Sequence, residues 1–365
     1  MFWPNLITIL LLLVLGGIFW GLSRRAYWRL AWREITSRRL AAVSGVILAL
    51  YLLVAVLDSV GWRSPLIDAA TGEPRRSPQT GEIVYAPPLT LLDRLLTPLR
   101  TRKEFSYSAP LATHQYGSQN ENGESGVQRV HPPLAHPRSH LFGTDRIGND
   151  VLYLAIKSIR TGIIIGLLTT LVAIPFALLA GISAGYFGGW LDDIIQYIYT
   201  VLSAIPTVLF IAAFIVIFGA GLPQLCVAMG LSSWTGMCRL LRAETMKLRE
   251  SDFVAAARAL GQPAWRILLR HILPNVLHVV IISTVLRFST EVLAEAVLTY
   301  LGIGVGADTM SWGTMINDAR SELTRSPLIW WKLTAAFTLM LGLVLPANFF
   351  GDAVRDALDP RLRTQ

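Results

Sequence analysis

Three features of the sequence predict an all-α, polytopic membrane protein. Only 15% of the 365 residues are charged, the deficit falls in long uncharged runs, and arginines gather beside those runs. A soluble chain usually carries about 25% charged residues. Here 53% of residues are hydrophobic and the mean hydropathy is +0.50. Concentration of the deficit into runs is the mark of membrane spans rather than of an unusually apolar core. The net charge of +8 would suit a nucleic-acid binder, but the arginines flank apolar runs instead of forming a stripe among aromatics. Membrane lipid is therefore the expected contact, and nucleic acid is not. Cys226 and Cys238 lie in or near one apolar stretch and read as small packing residues, with no disulfide framework.

A span needs about 20 mainly apolar residues at 1.5 Å rise each. Residues 2–22 meet this, and no Lys or Arg precedes them as a signal peptide would require. Residues 40–57 form the second expected span and 161–187 the third. Between Asp193 and Arg239 there is no charge, over about twice the hydrocarbon thickness, so the chain is expected to cross twice there. Gly219, Gly221 and Pro223 mark the break, and Pro206 is expected to kink the first of the two helices. Residues 275–300 and 333–350 complete seven spans.

Orientation follows from arginine placement. Residues 23–39 hold six arginines against one Glu, with Tyr27, Trp28 and Trp32 among them, which suggests a cytoplasmic helix at the membrane interface. Counting crossings from there places the N-terminus and residues 58–160 outside, and residues 239–272 and the C-terminus inside. The 239–272 segment agrees, with seven Lys or Arg against three acids. Residues 58–160 are rich in Pro, Gly, Ser and Asn and are expected to form a small, partly irregular element.

Residues 252–274 read as helix, glycine turn, helix, stop. Ser251 or Asp252 can cap the first helix, Gly261 supplies a left-handed C-terminal position, Pro263 suits the next first turn, and Pro274 marks the start of the following span. The first helix is small and alanine-rich, so another protein can approach it closely. The plain alternative is an amphipathic connector.

This segment resembles the EAA loop of permeases in ATP-binding cassette importers: Glu-Ala-Ala, three residues, Gly, nine residues, Ile-x-Leu-Pro. Ala256, Ala257, Gly261, Leu273 and Pro274 fall on that pattern, while Ala255 replaces its Glu and His271 its Ile. The resemblance implies that Asp252, Ala255, Ala256, Ala257, Gly261, Leu273 and Pro274 couple the chain to an ATPase. Gly143-Thr144-Asp145, Gly148 and Asp150 resemble the signature before the second core span of dipeptide, oligopeptide and nickel permeases, with Asn149 in place of Arg. Residues 184–192, 300–304 and 311–313 resemble further segments of that family, and residues 351–361 resemble the C-terminal signature of its C-type subunit. The likeness covers roughly residues 28–365.

The resemblance implies a six-helix permease core plus one extra N-terminal span, in a bacterial inner membrane. It divides the chain into an extra span (1–26), an interfacial helix and first core span (27–57), an outer loop (58–160), the core with its coupling loop at 239–274 (161–350), and a cytoplasmic tail (351–365). It implies as partners a B-type permease, two cytoplasmic ATPases and an extracytoplasmic substrate-binding protein. Transport of di- or oligopeptides by alternating access is the expected function; nickel or another small solute is the alternative cargo, and a scaffold or solitary channel the alternative class. No Gly-x-x-x-x-Gly-Lys is present, because none of the four lysines follows a glycine. ATP and Mg are therefore expected on the partners, with no cofactor or metal on this chain and no enzymatic activity of its own.

Arg287, Glu291 and Glu295 stand at i, i+4 and i+8 in one expected span and share a face. Charges at that depth face a cavity or one another, so the three are candidates for a pathway or gate. The other reading is a structural Arg–Glu pair, with Glu295 bonded to the partner permease. His114, His131, His136 and His140 lie in the outer loop, but their spacing matches no helical or strand face.

Overall fold

The computed structural model describes residue 17 and residues 26–358, except 64, 68–73, 75, 77–82, 87, 124–125 and 307–308. The first expected span, residues 2–22, therefore lies outside the described residues apart from Gly17. In chain order the elements begin with α1 (Ala26–Ser37), α2 (Arg39–Ser59), β1 (Gly61–Trp62), β2 (Leu89–Thr90), α3 (Leu91–Leu95), α4 (Thr97–Thr101), β3 (Gln119–Gly123) and β4 (Gly126–Val130). Then come α5 (Val151–Phe187), α6 (Gly189–Ala204), α7 (Thr207–Phe218), α8 (Leu222–Arg249) and α9 (Asp252–Ala259). α10 (Ala264–Ile267), a π-helical turn (Leu268–Ile272) and α11 (Leu273–Tyr300) follow, and α12 (Trp312–Glu322) and α13 (Trp331–Leu358) close the described chain.

Among the described residues, four helical stretches can cross a bilayer by length and composition: α2, α5, the stretch from α10 to Tyr300, and α13. A fifth is possible if α6 and α7, bent by 88° at their junction, form one broken span. Two expectations are thereby corrected. Pro206 does not kink a continuous helix; it is the N-cap residue of α7, after a full break at Ile205. A proline ring clashes with the carbonyl four residues back and offers no N–H, so the helix ends and restarts. The second concerns the crossing expected from residue 222: α8 begins there but is not among the helices apolar enough to span by composition, because Pro223, Gln224, Ser232, Ser233 and Thr235 lower its hydropathy, while the first of the seven expected spans lies outside the described residues.

The chain divides into two compact units. One comprises residues 1–30, 49–160 and 321–339. Its polar loop contains two small antiparallel pairs, β1 with β2 and β3 with β4. Thr90 and Asp93 form a capping box at α3: the Thr90 hydroxyl accepts from the Asp93 N–H, and the Asp93 carboxylate accepts from the Thr90 N–H. The same carboxylate belongs to a buried charge cluster. Lys157 Nζ lies 2.6 Å from Asp58 and 3.0 Å from Asp93, and Tyr153 donates to Asp93 at 2.8 Å. Burial by itself would raise the Asp93 pKa, yet the donors from Thr90, Lys157 and Tyr153 hold it below the usual carboxylate value. One lysine thus ties the end of α2 to α3 and to the start of α5.

The second unit comprises residues 31–48, 161–320 and 340–365, and α8 packs into two of its apolar clusters. Leu225, Cys226, Ala228 and Met229, in its first half, pack with Ile165, Ile211, Ile215 and Leu298. Trp234, Met237, Cys238 and Leu241, further along, pack with Ile182, Tyr186, Ile267 and Ile272. Apolar transfer does not drive helices together in lipid; close packing and interhelical hydrogen bonds do. An enclosed helix can therefore carry Ser232, Ser233 and Thr235 at membrane depth, where a lipid-facing helix could not.

Replacing Lys157 with Met is expected to leave Asp58 and Asp93 as an uncompensated buried pair and to destabilise the protein by about 3–5 kcal/mol. Adding Asp58→Asn is expected to restore part of that loss. The thermal unfolding midpoint of the solubilised protein checks both, and a Lys157→Met variant as stable as the parent would show that the cluster is not a tie.

Candidate functional site

The α9 segment is an exposed ledge whose geometry follows from its ends. Ser251 occupies the N-cap position, but its hydroxyl donates back to the Leu248 carbonyl instead of capping α9. At the other end Gly261 has φ +70. Its N–H bonds to Arg258 O at 2.9 Å, and the Gln262 N–H bonds to Ala257 O at 3.1 Å. This pair of bonds is the Schellman closure, and the left-handed residue it needs favours glycine. Pro263 then starts α10 as its N-cap.

The expected stop at Pro274 is absent. The helix continues from Ala264 to Tyr300, with a π-helical turn at Leu268–Ile272 immediately before Leu273 and Pro274. A wider turn relieves the clash between a proline ring and the carbonyl four residues earlier, so the helix passes the proline unbroken.

Val254 and Ala257 are buried and pack with Ile182, Tyr186, Ile267 and Ile272, and the Arg258 guanidinium lies 5.0 Å from the Tyr186 ring centre. Ala257 thus faces this chain's own core, which corrects the expectation that a partner would touch it. Asp252, Ala255, Ala256 and Gly261 are exposed. Around them stand Phe253, Leu260, Trp265 and Leu269, with Leu260 80% and Trp265 60% exposed. Leu273 is half-buried and Pro274 is exposed.

Arg287 and Glu291 meet in a second place. They line a cavity of about 400 Å³ with Thr207, Ser232, Ser233, Thr235, Thr290 and Arg239. Arg287 donates to the Ser233 carbonyl at 2.7 Å and stands 3.9 Å from Glu291. Its guanidinium crosses α8 at Gly236, where a Cβ would come within 2.5 Å of Nη2. Arg239 donates to Ser203 at 2.8 Å and lies over the Tyr199 ring. Glu295 is not in the cavity. It is 1% exposed and accepts from Thr299 at 2.8 Å, beneath Gly313, so it has a partner within this chain, where the structural alternative had given it one on a partner permease.

The Gly143–Asp150 motif is a structural knot. Gly143 and Gly148 both turn at positive φ. Thr144 Oγ1 donates to Ser106 O and accepts from the Ser108 N–H, and Asp145 accepts from the N–H groups of Ile147 and Asn149. Asp150 accepts from the Leu152 and Tyr153 N–H groups at the start of α5, and His140 Nδ1 lies 2.8 Å from it. Glu104 accepts from the N–H groups of Ala135 and His136. Among the described residues no group of three His, Cys, Asp or Glu side chains could hold a metal ion.

Several participants were not singled out in the sequence. Asp192 holds Arg242 through two contacts of 2.5 and 2.6 Å, joining α6 to α8. Isolated charges at the ends of apolar runs are the signal that would have found them, as it would Asp58 and Lys157.

Residues 177–364 match the binding-protein-dependent transport system inner membrane component, and residues 26–88 match the N-terminal TM domain of oligopeptide transport permease C. The dipeptide transport system permease protein DppC of Alkalihalophilus pseudofirmus is 35% identical over 257 residues, covering 70% of this chain and 81% of that one. DppC of Lactococcus lactis subsp. cremoris is 28% identical over 331 residues, covering 91% and 90%. The oligopeptide permease OppC of Bacillus subtilis is 33% identical over 226 residues, covering 62% and 73%. Among solved structures, the inward-facing MetNI methionine ABC transporter gives a TM-score of 0.47 at 15% identity, over 57% of this chain and 97% of that chain.

Helix content, spans and matched segments define a multi-span permease of the inner membrane, a transport subunit rather than an enzyme. The chain belongs to the binding-protein-dependent transport system inner membrane component family, the permeases of ATP-binding cassette importers.

The opposite burial of two neighbouring alanines separates folding from docking. Ala257→Asp is expected to destabilise the permease itself by about 3 kcal/mol or more, because it buries a charge without a partner. Ala256→Asp is expected to leave the unfolding midpoint of the solubilised permease unchanged. Equal losses of stability would contradict the assignment of the two faces.

Proposed function

We propose that this chain is the C-type permease of a peptide importer, moving di- or oligopeptides across the inner membrane by alternating access. Its partners are a B-type permease, two cytoplasmic ATPases that hold ATP and Mg, and an extracytoplasmic binding protein. The supporting observation is the α9 ledge: small Ala255 and Ala256 exposed on one face, with Val254 and Ala257 locked into the core on the other. A helix exposed in this way gives a second protein a close approach. Its buried face, together with Arg258 on Tyr186, makes it move with α5 and with the helix that continues into α11. Coupling between two sites requires an element that both bias, and this helix meets that requirement. The peptide cargo rests on the relatives, which are named as dipeptide and oligopeptide permeases.

In this reading the N-terminus and residues 58–160 face outward, and α9 and the C-terminus face the cytoplasm. The Gly143–Asp150 knot belongs to the outer side, and residues 161–350 form the core that carries the coupling loop. Orientation is tested by thiol labelling. Ser125→Cys is expected to react with an impermeant reagent in intact cells, and Ser37→Cys is not. Cys226 and Cys238 are fully buried, so they contribute little background. The reverse labelling pattern would overturn the orientation and the partner placement together.

Coupling is tested on α9 and its turn. Gly261→Val forces a β-branched side chain into a left-handed backbone, straining the turn by about 1 kcal/mol or more. Together with Ala256→Asp, it is expected to leave membrane levels normal while the ATPases are lost on purification and substrate-stimulated ATP hydrolysis disappears. Variants that retain their ATPases and transport at the normal rate would reduce the segment to a connector.

A further inference from the structure

We propose that the 400 Å³ cavity is a zwitterion site in which Arg287 receives the C-terminal carboxylate of a short peptide and Glu291 its N-terminal ammonium. This deepens the peptide reading and rests on it. The volume falls within the range of small-ligand sites, about 300–1,000 Å³. Arg287 lies near the middle of α11, and isolated charges at such depth are costly unless they meet each other or a ligand.

The site supplies Arg287 with internal substitutes for that ligand. Arg287 and Glu291 approach one another to only 3.9 Å, at the outer limit of an ion pair. The firmer bond of Arg287 is to a backbone carbonyl, Ser233 O at 2.7 Å, which positions the guanidinium without neutralising it. The termini of an extended dipeptide are about 7 Å apart at 3.3–3.6 Å per residue. A peptide therefore fits only by parting the pair, and each protein charge then exchanges its internal partner for a terminus of the opposite sign. Neither member of the Arg287–Glu291 pair lacks an opposite charge in either state, so the exchange avoids the penalty that removing one partner of a buried pair would carry.

Two further features suit this chemistry. Gly236 leaves the surface of α8 bare where the guanidinium crosses it, so the fork can present paired donors to a carboxylate. Arg239 lines the same cavity, giving it two cations against one carboxylate and a bias toward the anionic end of the cargo. The hydroxyls of Ser232, Thr235 and Thr290 supply donors and acceptors without preference for side-chain type. Selection by termini and not by side chains is what a carrier of varied peptides needs.

The test uses the assembled permease–ATPase complex in lipid nanodiscs, without the binding protein, and three probes: dialanine, N-acetyl-dialanine and dialanine amide. Dialanine is expected to bind saturably, and blocking either end to weaken binding at least tenfold. Arg287→Gln is expected to abolish the difference between dialanine and its amide, and Glu291→Gln the difference between dialanine and its acetylated form. Gly236→Ala displaces the guanidinium without removing a charge and is expected to reproduce the Arg287→Gln pattern. It carries the test if Arg287→Gln does not assemble. Uptake of dialanine by the full complex, binding protein included, is measured beside these. Uptake without saturable binding, or equal binding of all three probes, overturns the zwitterion site and leaves the importer reading intact. A full complex that takes up no peptide overturns both.

Discussion

A charge below the membrane surface must find its partner inside the protein, because lipid supplies none. In this chain the requirement is met helix against helix. Arg287 of α11 reaches the Ser233 carbonyl of α8, and the same pairing recurs at the ends of the helices, where Arg242 of α8 reaches Asp192 of α6 and Lys157 of α5 reaches Asp58 and Asp93. Each bond fixes the rotation of one helix about its axis relative to the next, which apolar packing specifies only loosely. The packing of the first half of α8 against neighbouring helices and the polar cavity beside it are two results of the same constraint. A helix packed against protein is the one that can carry hydroxyls, and hydroxyls are what make a cavity wettable.

Most of the helical framework was legible in the sequence, because uncharged runs of about 20 residues have few alternatives to a span. The Gly261 turn was legible for the same kind of reason: helix, glycine, proline in that order describes one closure. What sequence could not supply was which face of a short helix points inward. Ala256 and Ala257 are chemically identical, and only the neighbours Ile267 and Ile272, folded back on α9 by the turn, decide that Ala257 is the buried one. Spacing suggested that Glu295 shares the Arg287 face, yet it lies outside the cavity and accepts from Thr299, one turn further along. Its partners are hydroxyls, Thr299 on its own helix and Ser311 ahead of α12, so a search for a counterion could not have found them.

Pro206 and Pro274 show the two outcomes open to a proline in a membrane helix. At Pro206 the chain has a residue with extended backbone before it and starts a new helix at 88°. At Pro274 the preceding turn widens and the helix carries on. The distinction rests on the segment before the ring, since the ring presents the same clash in both places. Broken helices at membrane depth are tolerated where they border a cavity, and Thr207, the first residue after the break, does line it.

The π-helical turn at Leu268–Ile272 has a rotational consequence. An α-helix advances about 100° per residue, so the one surplus residue held in a π turn sets the angular phase of everything after it. The direction in which Arg287 and Glu291 face is thus defined by a local irregularity about four turns away along the same helix, next to α9. Were the turn to tighten to α geometry, the side chains beyond it would swing by roughly a quarter of a revolution relative to those before it. The helix that bears the charges thereby contains its own angular offset, placed between the ledge and the cavity, in a segment where a wider turn already replaces the regular bonding pattern.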